Sequence, residues 1–74
     1  MSVVYDTNNS NYEKGFAIGY ENIRVMYAEK GVTETFKYIE VVDDDARKNP
    51  NDSYKRGYLD GCVKAFKNMS QINS

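Results

Sequence analysis

The chain has 74 residues, with ten basic against eleven acidic side chains and a net charge of -1. That length allows one small core, and the near-neutral balance excludes both the basic stripe of a polyanion binder and the acidity of a nucleic-acid mimic. No apolar run approaches the roughly 18 residues that span a bilayer, histidine is absent, and Cys62 is the single cysteine, so a disulfide framework and the usual Cys–His nucleophile pair are excluded.

Residues 1–10 hold the short β-prone run Val3-Val4-Tyr5 and then a polar stretch, Asp6 to Ser10. They lack a basic start and an apolar segment of signal-peptide type, so a cytoplasmic protein is expected. From Tyr12 the apolar residues recur at helical spacing: Tyr12, Phe16, Tyr20, Ile23, Met26 and Tyr27. Gly31 follows, as glycine commonly does just past a helix.

The middle segment, Val32 to Arg47, reads two ways. Thr33 can cap a helix whose stripe is Val32, Phe36, Ile39, Val42 and Ala46. The run from Thr35 to Val42 is also rich in β-branched and aromatic residues, which favour strands. Helix is preferred, because the only other strand candidate is Val3–Tyr5 and an isolated pair is marginal. Next come Asn49, a good cap, and Pro50, well suited to a first helical turn. A third helix is therefore expected from about Pro50 to about Met69, with Tyr54, Gly57, Tyr58, Gly61, Cys62, Ala65, Phe66 and Met69 inward. Residues 1–10 and 70–74 are expected to be flexible.

The resulting expectation is a single, mostly α domain in a compact three-helix arrangement with glycine-mediated close packing; a small α+β fold in βαβα order is the alternative. The glycine packing rests on an internal echo. Tyr12-x-x-Gly15-Phe16-x-x-Gly19 returns 42 residues later as Tyr54-x-x-Gly57-Tyr58-x-x-Gly61. A mid-helix glycine costs about 1 kcal/mol relative to alanine, so four of them need an offset, and close backbone approach supplies one. Charges such as Lys14, Glu21, Lys55 and Arg56 rule out a membrane helix pair.

Chemistry-bearing motifs are absent. Gly57 and Gly61 lie within a helix, not in a phosphate-binding loop between strand and helix. An EF-hand register starting at Asp43 would put Arg47 on a ligand position, Lys48 on the turn glycine and Tyr54 on the final glutamate, so Asp43-Asp44-Asp45 is not a calcium loop. No catalytic residue, metal site or cofactor is expected, and Cys62 reads as a small buried side chain.

What remains is surplus apolar surface. Leu59, Val63 and Phe66 form an i, i+4, i+7 stripe, assigned to self-association in a homo-oligomer at micromolar concentration. Ile18 and Val25 lie seven residues apart on the side of helix one away from its glycines, assigned to a partner protein. The phrases Tyr12-Glu13-Lys14-Gly15-Phe16 and Tyr54-Lys55-Arg56-Gly57-Tyr58 resemble helices of small phage-encoded accessory proteins of the host-takeover or anti-defence kind. That resemblance implies a stoichiometric inhibitor or regulator that occupies a surface of one host protein, and it carries over no functional residue. The expected function is thus a non-enzymatic protein–protein interaction module. The alternative is a nucleotide or nucleic-acid binder using some of the seven tyrosines with Lys14, Arg24, Lys55 or Arg56.

Overall fold

The computed structural model describes residues 10–72, so the Val3–Tyr5 run and the last two residues lie outside the described residues. Two helices account for nearly all of it: α1, Ser10–Lys48, and α2, Ser53–Ile72. The expected three-helix arrangement is corrected to a helical hairpin with a kinked first helix. The α+β alternative falls as well, since no strand occurs among the described residues. Gly31 interrupts the helix, as its position suggested, but no loop follows it. It adopts φ 89° and ψ 179° inside α1, while the residues on either side stay helical. This backbone region is essentially reserved for glycine, so one residue redirects the chain without an intervening loop.

The kink divides α1 into a first limb, residues 10–30, and a second limb, residues 32–48. A straight helix of 39 residues would be about 58 Å long, yet the longest dimension is 42 Å. Contacts give the directions. Gly15 meets Tyr54, Gly19 meets Tyr58 and Tyr20 meets Asn68, so the first limb runs parallel to α2. Phe36 meets Phe66, Tyr38 meets Tyr58 and Asp45 meets Lys55, so the second limb runs antiparallel to it.

The β-prone stretch 35–42 is helical because its alternate turns have a core to face. Thr35 is fully buried, Ile39 and Ala46 are buried, and Val42 packs beside them. This seam is displaced from the expected one. Val32 and Phe36 are half exposed, and Thr35 takes the inward position. Its hydroxyl donates to the Gly31 carbonyl oxygen at 2.8 Å, which satisfies a buried polar group at the kink. Ile23, Cys62 and Ala65 complete the core from the first limb and α2.

The second helix starts three residues later than expected. Pro50 lies in a turn closed by the Asp52 N–H donating to the Asn49 carbonyl at 3.0 Å, a position that suits its fixed φ. Asn49 does not cap α2; its Nδ2 donates to the Asp45 carbonyl at 2.9 Å and finishes α1 instead. Asp52 is the cap, accepting the Lys55 N–H at 3.1 Å. Helix α2 then continues through Ser70 and Gln71, beyond the expected end.

Candidate functional site

The four echoed glycines meet across the parallel pair. A Cβ on Gly15 would press into the Tyr54 carbonyl oxygen, and one on Gly57 into that of Tyr12. Gly19 stands in the same relation to Tyr58, and Gly61 to Phe16. Exchanging each residue with its counterpart 42 positions away maps the first pair of contacts onto each other, and likewise the second. The echo thus encodes a local pseudo-two-fold crossing. At each of the four points a glycine hydrogen stands where a side chain would otherwise keep the helices apart, the arrangement in which weak Cα–H···O contacts recur.

Side chains around the crossing are satisfied within the chain. The Tyr12 hydroxyl donates to the Asp60 carboxylate; its pKa is pushed up to about 12 by burial first, then by that hydrogen bond and charge. Tyr38 and Tyr58 share a hydroxyl–hydroxyl bond of 2.7 Å, and Asn22 Nδ2 donates to the Tyr58 hydroxyl at 2.9 Å. Burial, followed by the Tyr58 bond, raises the Tyr38 pKa further still. Cys62 is fully buried, with its thiol facing the Gly19 carbonyl at 3.6 Å, and burial pushes its pKa up to about 12. At neutral pH it is a packed thiol, not a nucleophile.

Leu59, Val63 and Phe66, assigned from sequence to self-association, are partly covered by the chain itself: Val63 and Phe66 are half-buried, and Leu59 and Val63 line an open cleft with Phe36 and Ile39. Leu59 is 8% exposed, and Val63 and Phe66 pack against the same core. The Phe66 ring lies 6.0 Å from Phe36 and 5.9 Å from Tyr27. Sequence periodicity showed the stripe but not its cover, because the second limb's direction is set by the Gly31 kink. Ile18 and Val25 are both 44% exposed on the first limb.

A different apolar surface was missed from sequence. Between the second limb and α2 an open groove of about 510 Å³ is lined by Tyr38, Val41, Val42, Tyr54 and Tyr58. Val41 is 65% exposed and Tyr54 37%, although Tyr54 was expected inward. The charges on this groove are compensated: Lys48 meets Asp44 at 3.1 Å and Lys55 meets Asp45 at 3.0 Å. The sequence signal for it was Val41 beside the inward Val42 and close to Tyr38, and only the antiparallel pairing brings Tyr54 and Tyr58 alongside.

Among the described residues, no group of three or more His, Cys, Asp or Glu side chains is placed to hold a metal ion, and no helix is long and apolar enough to cross a membrane. The aspartates of the 43–45 run point to separate partners, Arg47, Lys48 and Lys55. No protein-family model, curated protein or solved structure matches the chain.

Proposed function

We propose that the chain is a non-enzymatic binding module that docks a partner protein in the groove between the second limb of α1 and α2, as a stoichiometric inhibitor or regulator. The observation that carries this reading is the exposure of Val41 and Tyr54 beside Tyr38 and Tyr58. Exposed apolar side chains grouped with amphipathic aromatics are the composition of the centre of a protein interface. Both groove lysines are held by aspartates, so the site offers a phosphate no uncommitted cation, which weighs against the nucleotide alternative.

The test is capture of partners from a lysate of the source cells by the intact chain and by its Val41→Glu variant, at low and high salt. Val41 is exposed, so the variant should fold and melt like the parent. A protein retained by the parent at high salt and lost by the variant is the expected result. Capture of nucleic acid that disappears as salt rises would instead favour the alternative.

A further inference from the structure

From the outer face of the first limb we infer a second, separate surface: an antiparallel two-fold contact between two copies of this chain, centred on Ile18 and Val25. It rests on residues outside the groove and stands independently of it. The face is narrow. Lys14, Ile18, Glu21 and Val25 follow one another at spacings of four and three, and Glu29 extends the row by four more. All five are exposed. Spacings of this kind keep residues along one seam of a helix.

The sequence of this seam is self-complementary. With a two-fold axis between positions 21 and 22, Ile18 of one copy faces Val25 of the other, and Lys14 faces Glu29. Symmetry repeats both pairs, so each apolar contact is flanked by one of opposite charge. Lys14 and Glu29 make no ion pair among the described residues and are free to take up this one. Glu21, the acid nearest the axis, is already held by Arg24 at 3.3 Å, so the two copies do not bring bare carboxylates together. A parallel arrangement would instead set Lys14 beside Lys14 and Glu29 beside Glu29. The charge pattern selects the antiparallel one.

Two apolar side chains per copy place the contact at the small end of interface sizes, so weak association is expected, to be sought at protein concentrations from roughly ten micromolar to a millimolar. Sedimentation equilibrium of the intact chain across that range reads it directly. Ile18→Glu should abolish the dimer while leaving the melting curve in place, since Ile18 lies outside the core. Lys14→Glu alone and Glu29→Lys alone should each weaken association about tenfold, by turning both flanking pairs repulsive. An equimolar mixture of those two variants should restore it, because each repelling residue then meets its opposite in the other chain. A parent that stays monomeric throughout, a dimer indifferent to Ile18→Glu, or a mixture no tighter than its components would each overturn the assignment.

Discussion

Single residues in this protein act mainly through what they leave out. At Gly19 and Gly57 the missing side chain is the contact itself. A Cβ would press into a facing carbonyl oxygen and lie 3.0 Å from the Tyr58 carbonyl carbon in one case and 2.8 Å from that of Tyr12 in the other. These atoms are backbone of a packed helix and cannot swing aside. Alanine gains about 1 kcal/mol in helix propensity over glycine. Overpacking costs typically about 1–3 kcal/mol, and more where backbone must move. Gly19→Ala and Gly57→Ala should therefore each lower stability on balance, by roughly 1–2 kcal/mol in urea denaturation, with a larger loss for leucine. A gain in either alanine variant would show that the helices lie farther apart than the structure has them.

At the scale of the elements, the decisive feature is a kink at the glycine expected to end the first helix. Gly31 has open space around the position of a Cβ, so packing does not exclude a side chain there; its positive φ does. Gly31→Ala should destabilise by about 1–3 kcal/mol through backbone strain alone. D-alanine at the same position, introduced by chemical synthesis, adopts a positive φ without that strain and should melt above the L-alanine variant. Equal melting of the L and D variants would mean that residue 31 does not hold this conformation. Nearby, Thr35 ties the second limb to the kink through the Gly31 carbonyl, while Asn49 and Asp52 divide the turn between them, one finishing α1 and the other starting α2.

At the scale of the whole molecule, folding withdraws three weak acids from water. Tyr12 rises from 10.0 to about 12, Cys62 from 9.0 to about 12, and Tyr38 further still, with burial the leading cause for each. A raised pKa means that the folded state keeps a proton which the unfolded chain releases. The contribution of each group is therefore complete below its unfolded pKa and is lost as pH climbs toward the folded value. Melting temperature should fall from about pH 9 upward, first through Cys62 and from about pH 10 through Tyr12 and Tyr38 as well. Tyr12→Phe should lessen the later part of the slope, leaving the share of Tyr38, and Cys62→Ala should lessen the earlier part, whatever each does to stability at neutral pH. A melting temperature constant from pH 8 to pH 11 in the parent would contradict the burial of these groups.

Helical spacing and the glycine echo were enough to read the inward face of the first limb, most of α2's, and the four glycines, because an i, i+4 pattern already specifies which residues share a face. Local propensity misread the bounds of α2, where Asn49 and Asp52 are both competent caps and the turn around Pro50 chose between them. It was ambiguous for 35–42, whose β-branched residues settle into helix only because Thr35 and Ile39 find a core to face. The partial cover over Leu59, Val63 and Phe66, and the groove beside Val41, depend on the second limb running antiparallel to α2. That direction follows from the backbone angles of Gly31, and no pattern of side chains could announce them. Helical periodicity alone specifies which faces are apolar. Which of those faces the chain covers with itself emerges only when the segments pack, since burial is a property of the path between segments rather than of any one segment.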